Sequence, residues 1–209
     1  TNNNDQAEGN LLYTEYNQNA WKRIDKVNNN YVLEVKDAGI YEIKFRYTEN
    51  GETVETNTTQ VYAYVKDGLQ VYYDGEYNVN YSHNENASNW SDLSGNSNNG
   101  TIESCSWNVD NSLEMDGINS TLNCDEINLN NATIEHIFKD YGESQIELNS
   151  TVQNITSTTS FDIGRYINNN LSSYYKGNVY NLRIYDRELS EDELEKNYKI
   201  DKIRYNLQD

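Results

Sequence analysis

The stretch from Tyr175 to Leu194 constrains the fold more than any other part of the chain, because a strand pattern and a helix signal meet inside it. Residues 179–185 are rich in β-branched and aromatic side chains, which predicts a strand. Ser190 and Glu193 then have the spacing of a capping box, in which each side chain bonds the backbone amide of the other. We therefore expect a long closing strand followed by a short helix over residues 191 to about 198.

The segments before this stretch favour short strands separated by turns. Residues 40–47 alternate in character, which predicts a half-buried antiparallel strand whose inward side chains are Tyr41, Ile43, Phe45 and Tyr47. The pair Asn50-Gly51 follows, and it is the strongest short signal for a hairpin. Many short strands with one helix predict an all-β chain of packed antiparallel sheets.

The first third of the chain is expected to form its own small β unit. Residues 1–10 are polar and asparagine-rich, which predicts a mobile lead-in. The stretch from Ala38 to Ile43, with its Asn-Gly hairpin, resembles the end of the small immunoglobulin-like modules found in tandem on bacterial surface proteins. This resemblance implies an Ig-like β-sandwich over residues 1–66. Lys66-Asp67-Gly68 has the chemistry of a turn and is expected to link it to a second domain over residues 67–209.

The second domain contains a series of segments with a characteristic order and spacing, which are residues 69–75, 90–102, 112–117, 123–129, 133–135, 162–165 and 175–194. In this order and spacing it resembles the laminin-G-like, concanavalin A-like lectin domains of Gram-positive bacteria and their phages. The resemblance implies an antiparallel two-sheet jelly-roll sandwich with a short C-terminal helix, in which the first and last strands are neighbours. The interval between Phe138 and Phe161 is shorter than in that family, so at least one hairpin of the ligand-facing sheet is expected to be reduced.

One polar loop has the composition of a sugar-binding site. Such sites stack an exposed aromatic ring on a pyranose face and bind its hydroxyls with polar side chains. The loop supplies this mixture in Tyr81, His83, Asn84, Asn86 and Trp90. We take Tyr81, His83, Asn86 and Trp90 as the candidate ligand-binding residues. An alternative for Trp90 is a core residue that anchors the loop, since it belongs to the segment that resembles the family.

The next segment is a candidate calcium site. Oxygen-bearing side chains alternate there, as in a calcium loop, at Asp92, Ser94, Asn96 and Asn98. Laminin-G-like domains often hold a structural calcium at their rim, so the resemblance implies Asp92, Asn96 and Asn98 as metal ligands. The loop lacks the glycine and the closing glutamate of a helix–loop–helix calcium site, and a series of tight β-turns explains the same composition.

Charge and composition exclude several classes of function. The net charge of −18 argues against nucleic acid and anionic membranes as partners, because both require a basic surface. No apolar run is long enough to span a bilayer, so membrane insertion is not expected. No strand carries the paired carboxylates of a glycosidase, and His83 and His136 lack a partnered nucleophile, so no enzyme activity is expected. Cys105 and Cys124 are either plain buried thiols or a disulfide.

These features lead to two functional expectations. The first is a non-enzymatic recognition or adhesion module, extracellular on a bacterial cell surface or a phage virion, whose ligand is a glycan or another host-surface group. The alternative is a purely structural module, such as a phage decoration or fibre protein or a surface stalk, that contacts other virion or surface-protein subunits and has no glycan ligand.

Overall fold

The computed structural model describes residues 9–153, 158–168 and 171–208, so residues 1–8 of the predicted lead-in lie outside it. The described residues form several antiparallel sheets and one C-terminal α-helix, which confirms the all-β prediction. The chain divides into two compact units. One comprises Thr1–Val65 with Glu195–Ile200, and the other comprises Lys66–Leu194 with Asp201–Asp209. The sequence assigns the whole helix to the second unit, whereas six of its residues group with the first.

The first unit is built around one long strand. Its strands are β1 (Gly9–Glu15), β2 (Lys22–Arg23), β3 (Lys26–Val27), β4 (Asn30–Tyr31), β5 (Gly39–Glu49), β6 (Glu52–Glu55) and β7 (Thr59–Ala63). β5 pairs with β1 along one edge and with β6 and β7 along the other. Asn50 and Gly51 both have positive φ, as a type I′ turn requires, so the predicted hairpin is confirmed.

The predicted inward face of β5 is only partly buried. Tyr41 is buried, but Ile43, Phe45 and Tyr47 are half-exposed, and Ile40 on the opposite face is buried instead. Among residues 9–65 there is one five-stranded sheet and the small hairpin β3–β4, so these residues supply no second large sheet to cover that face. The rings of Phe45 and Tyr47 stack on each other at 5.8 Å.

Within the described residues, the second unit contains twelve strands, a short 3₁₀ helix and the two ends of the α-helix, whose residues Glu195–Ile200 group with the first unit. They are β8 (Leu69–Asp74), η1 (Gly75–Tyr77), β9 (Asn89–Trp90), β10 (Gly100–Glu103), β11 (Ser106–Trp107), β12 (Leu113–Asp116), β13 (Thr121–Asn128), β14 (Ala132–Asp140), β15 (Glu147–Gln153), β16 (Thr158–Ile163), β17 (Arg165–Asn168), β18 (Leu171–Tyr174), β19 (Lys176–Tyr185) and α1 (Glu191–Tyr205).

The last strand is the centre of the larger sheet of the second unit. β19 pairs with β14 along one edge, and with β12 and then β8 along the other. The predicted adjacency of the first and last strands is therefore confirmed. A second sheet has the order β16-β13-β10-β9. One apolar cluster takes side chains from both sheets, including Val71, Leu113, Leu182 and Ile184 from the first and Trp90, Leu122 and Ile127 from the second.

Strand β19 is buried on both faces. Leu182 and Ile184 point into the apolar cluster. Side chains alternate across a strand, so Asn181, Arg183 and Tyr185 lie on the opposite face, where they are also buried. Arg183 reaches helix α1 there, which identifies the helix as the cover of this second face.

A buried ionic cluster joins this face to the helix. Arg183 donates to Glu135 Oε2 at 3.1 Å, to Asn181 Oδ1 at 3.0 Å and to both carboxylate oxygens of Asp201 at 3.1 and 2.5 Å. The side chains of Arg183 and Asp201 have no exposed surface. Buried charges are tolerated only when they are paired in good geometry. The cluster therefore fixes the position of α1 along the sheet.

The helix begins where the capping box predicts and ends later than expected. The Ser190 and Glu193 side chains each accept from the other residue's amide. Arg187 donates both terminal nitrogens to Glu193, and this pairing is the main reason that the pKa of Glu193 falls to about 2. The helix continues past the predicted end to Tyr205 and is terminated by Asn206 in the left-handed conformation. Ile200, which is buried, extends the apolar face beyond the expected end.

The two cysteines are not bridged. Cys124 is buried, and its Sγ lies 2.7 Å from the hydroxyl of Tyr73. Burial raises the pKa of both thiols to about 11, so neither is poised as a nucleophile. Within the described residues, no helix has both the length and the hydropathy needed to cross a bilayer.

We expect Arg183→Met to lower the free energy of unfolding by ~3–5 kcal/mol, because Glu135 and Asp201 would keep their burial and lose a cation. Urea denaturation followed by circular dichroism measures this loss. Lys199→Met is the control, since Lys199 pairs with Glu195 on the exposed side of the same helix. It should change stability by less than ~0.5 kcal/mol. Equal effects in the two variants would contradict a stabilising role for the cluster.

Candidate functional site

Trp90, the expected sugar-stacking residue, is completely buried. Its ring stacks on Tyr73 with 5.5 Å between centroids and meets the edge of Trp107 at 4.9 Å. No face of the indole is open to a ligand, so its prediction as a stacking platform is wrong. Trp90 is instead a core residue, the alternative given above, and it anchors the preceding loop by packing on Tyr73 and Trp107.

The other three predicted ligand residues are held in different ways. Tyr81 is 76 % exposed and has a positive φ, so its ring projects into solvent. His83 is half-buried, with Nδ1 2.7 Å from the carbonyl oxygen of Gly75 and its ring against the edge of Trp107. Asn86 is exposed, and its backbone N–H donates to the side-chain oxygen of Asn84. The loop thus offers a single open ring rather than a set of converging groups.

The predicted calcium ligands are engaged in hydrogen bonds within the protein. Both carboxylate oxygens of Asp92 accept two bonds each, from the amides of Tyr72, Ser94 and Asn98 and from the Ser94 hydroxyl. The side-chain amides of Asn96 and Asn98 donate to the carbonyl oxygen of Gln70.

This donor pattern does not fit a calcium ion, because calcium requires several oxygens that point at one centre and are free to coordinate. The arrangement is instead the β-turn series that the composition also allowed. Nor do the described residues contain a group of three or more histidine, cysteine, aspartate or glutamate side chains placed to hold a metal.

A groove of about 340 Å³ in the second unit brings together polar and aromatic side chains that the sequence did not single out. It is lined by Asp74, Glu76, Asp110, Asn111, Ile146, Tyr180, Arg204, Tyr205 and Asn206. Four elements supply most of them: the end of β8 with η1, the turn before β12, strand β19 and the last turn of α1. We call this set of residues the acidic groove.

A glycine allows two walls of the acidic groove to approach each other. A Cβ atom at Gly75 would lie 1.9 Å from the carbonyl oxygen of Asn111 and 3.2 Å from that of Tyr180. Real Cβ atoms do not come this close to backbone atoms, so only glycine permits the contact. Gly75 therefore sets the spacing between η1 and the turn that carries Asp110.

Arg204 organises one side of the acidic groove. Its two terminal nitrogens donate to the oxygens of Asp74 at 2.5 and 2.8 Å, and one of them also donates to Glu76 at 2.8 Å. Tyr72 donates its hydroxyl to the same Asp74 carboxylate at 2.6 Å. Asp74 is buried, whereas the Glu76 side chain is 51 % exposed. The guanidinium is thus bound to protein carboxylates, and Glu76 faces solvent.

Asp110 and Tyr180 form a second hydrogen-bonded group in the lining of the groove. The Tyr180 hydroxyl donates to Asp110 at 2.9 Å, and Ser112 donates to the same carboxylate through its amide and its hydroxyl. Burial raises the pKa of Asp110, but the bonds from Ser112 and Tyr180 outweigh it and bring the pKa below its ordinary value. Burial and the bond to Asp110 raise the pKa of Tyr180 to about 12. Asp110 is therefore an anion, and Tyr180 a neutral hydroxyl, at neutral pH.

The chemistry of the acidic groove is that of a binding site for a polar ligand. Carboxylates accept hydrogen bonds from hydroxyl groups, and amide N–H groups donate to them. The partly exposed ring of Tyr205, whose centroid lies 6.1 Å from that of the buried Tyr180, provides apolar surface beside these groups. Sequence reasoning missed this site because its residues are separated along the chain. No local pattern links Arg204 to Asp74, which lies 130 residues earlier in the chain.

We expect Trp90→Ala to destabilise the protein by ~3–5 kcal/mol, because it removes a large buried side chain from the shared apolar cluster. Urea denaturation again provides the measurement. Tyr81→Ala is the matched aromatic control in the same loop, and its effect should stay within ~0.5 kcal/mol because the ring is exposed. Wild-type stability in Trp90→Ala would contradict the anchoring role.

We expect calcium to leave the thermal midpoint unchanged to within about 1 °C, compared with the same protein in a chelator, because a folded state that binds no ion gains nothing from it. Asp92→Ala should lower the free energy of unfolding by ~1–3 kcal/mol in both conditions, since four partly buried hydrogen bonds of the turn lose their acceptor. A rise of the midpoint in calcium that Asp92→Ala abolishes would show that the loop does bind the ion.

Searches of protein-family models, of curated proteins and of solved structures found no match to this chain. Function is therefore inferred from the chemistry of the acidic groove and of the loop beside it.

Proposed function

We propose that the chain is a non-enzymatic recognition or adhesion module that binds a glycan, exposed on a bacterial cell surface or a phage virion. In this proposal the second unit is a laminin-G-like, concanavalin A-like jelly roll, and the first is an Ig-like β module. The pairing of β8 with β19 and the single apolar cluster between two antiparallel sheets support the jelly roll. In the Ig-like module, the described residues 9–65 contribute one five-stranded antiparallel sheet and the hairpin β3–β4.

The observation that carries glycan binding is the acidic groove. Sugars present hydroxyl donors and apolar ring faces, and a site that recognises them combines fixed hydrogen-bond acceptors with aromatic surface. Asp110 and Glu76 supply acceptors, and the partly exposed ring of Tyr205 supplies the aromatic surface. The acceptors are held by bonds from Tyr180 and Arg204, so little side-chain entropy is lost on binding.

A second candidate is the purely structural module, which contacts neighbouring virion or surface-protein subunits and binds no glycan. The burial of Trp90 favours it, because this removes the ring that the sequence offered as the sugar platform. The shortened interval after β14 also favours it, since β15 alone lies between β14 and the next described strand, β16.

A glycan array distinguishes the two candidates. The wild-type chain is expected to bind a defined subset of glycans, and Glu76→Gln combined with Asp110→Asn should weaken those signals at least ~10-fold, the effect of losing hydrogen bonds to charged acceptors. Tyr81→Ala is the control in the neighbouring loop and should bind as the wild type does. Circular dichroism establishes that each variant is folded.

Three outcomes are informative. Loss of binding in Tyr81→Ala with normal binding in the double variant would move the site to the loop. No saturable binding to any glycan would reject glycan recognition. Self-association, or binding to the parent particle or surface assembly, would then support the structural candidate.

A further inference from the structure

We infer that the acidic groove selects sugars bearing a free amino group over neutral sugars and rejects acidic ones. This inference rests on the proposed function, and it assigns a ligand class to the same site. Two observations support it. Carboxylates outnumber cations in the groove, and Arg204, the one cationic side chain among the lining residues, already donates to Asp74 and Glu76.

The lining residues are unequal in charge. Three carboxylates, those of Asp74, Glu76 and Asp110, face one guanidinium, that of Arg204. Lys139 of β14 acts on Asp110 electrostatically but does not line the groove. Even when Lys139 is counted, the carboxylates remain in excess. A ligand therefore enters a negative field, which favours a cation and opposes an anion.

Arg204 cannot serve as the anion-binding group that such grooves often contain. Its terminal nitrogens already donate to Asp74 at 2.5 and 2.8 Å and to Glu76 at 2.8 Å. A ligand carboxylate, sulfate or phosphate would have to displace a bidentate pair whose aspartate is buried. Breaking such a pair leaves a buried charge uncompensated, which is strongly unfavourable. The anionic ligand is therefore opposed both by the field and by the geometry.

An ammonium group finds two partners in the groove. Glu76 is half-exposed, so its carboxylate can accept from a ligand while it keeps its bond to Arg204. Asp110 accepts three bonds, from Ser112 and Tyr180, and an ionised carboxylate has about four acceptor positions. An ammonium offers three donors, whereas a hydroxyl offers one, so an ammonium that bonds either carboxylate keeps donors for further acceptors. Charge-assisted hydrogen bonds are also about twice as strong as neutral ones.

The test compares three tetrasaccharides, one cationic, one neutral and one anionic, of which the first two differ only in an N-acetyl group. The probes are a tetramer of glucosamine, a tetramer of N-acetylglucosamine and a tetramer of galacturonic acid, titrated calorimetrically into the full chain at about pH 6, where carboxylates are ionised. We expect the glucosamine tetramer to bind at least ~10-fold more tightly than its N-acetylated form, and the acidic tetramer not to bind measurably. The preference should weaken as salt is raised, since salt screens exposed charges.

Variants separate the local site from the charge of the whole chain. Glu76→Gln and Asp110→Asn should each bring the ratio of the two affinities towards one while the N-acetylated tetramer keeps its affinity within ~3-fold, because one charge is removed and the shape is kept. Glu114→Gln removes one exposed carboxylate of β12, outside the groove, and should leave the ratio as it is in the wild type.

The outcomes distinguish this inference from the proposed function. Equal affinity for the amino and N-acetyl tetramers, or tighter binding of the acidic one, would overturn the charge selectivity and leave glycan recognition standing. An equal loss of preference in Glu114→Gln and Glu76→Gln would also overturn it, because the attraction would then belong to the net charge of −18. Absence of binding to all three probes, together with an empty glycan array, would reject the proposed function itself.

Discussion

The second unit depends on the ionic cluster around Arg183, which holds helix α1 against the polar face of β19. Without the helix, Arg183 would lose its ion pair with Asp201. Strand β19 has apolar residues on one face and Asn181, Arg183 and Tyr185 on the other, and both faces are buried. The apolar face needs only the opposing sheet. The polar face needs a cover that brings a carboxylate to the guanidinium, and Asp201 provides it at 2.5 Å. The pairing of Asp201 with Arg183 therefore fixes where α1 lies on the sheet, more narrowly than hydrophobic packing alone would do.

The position of the helix in turn creates the acidic groove. Asp201 and Arg204 are three residues apart, so they lie on neighbouring positions of the same helical face. When Asp201 meets Arg183 beneath the helix, Arg204 is carried to the end of β8, where Asp74 receives it. Two ion pairs with different functions therefore share one helical turn. The first pair is wholly buried and structural, and the second forms the edge of a site that faces solvent.

Local patterns predicted the elements that depend on neighbouring residues. The capping box at Ser190 and the Asn50-Gly51 turn were found where the sequence placed them, since both are set by residues a few positions apart. The pairing of β8 with β19 came from a resemblance, and no local pattern contains it. The helix end was misplaced because residues after Tyr198 are largely polar, although Ile200 and Asp201 are buried. A charged residue in a helix predicts an exposed position only if no oppositely charged residue is buried beside it, and Asp201 is buried because it pairs with Arg183.

The acidic groove was beyond sequence reasoning for a related reason. Asp74 and Arg204 are 130 residues apart, and nothing near either of them signals the other. Trp90 shows the opposite error, because an aromatic ring in a polar loop suggested a ligand platform although its environment is set by Tyr73 and Trp107. Composition indicates which chemistry a segment can perform, and only tertiary structure decides which side chains are open to perform it.

The groove's dependence on the final helical turn has a thermodynamic consequence. Helix ends fray more readily than their centres, and Arg204 and Tyr205 lie within the last turn, ahead of the left-handed Asn206. Any molecule that occupies the groove binds only the population in which this turn is wound. Occupancy and winding are therefore linked equilibria. A saturating ligand slows hydrogen exchange at the carboxy-terminal amides by the same factor with which winding strengthens its own affinity.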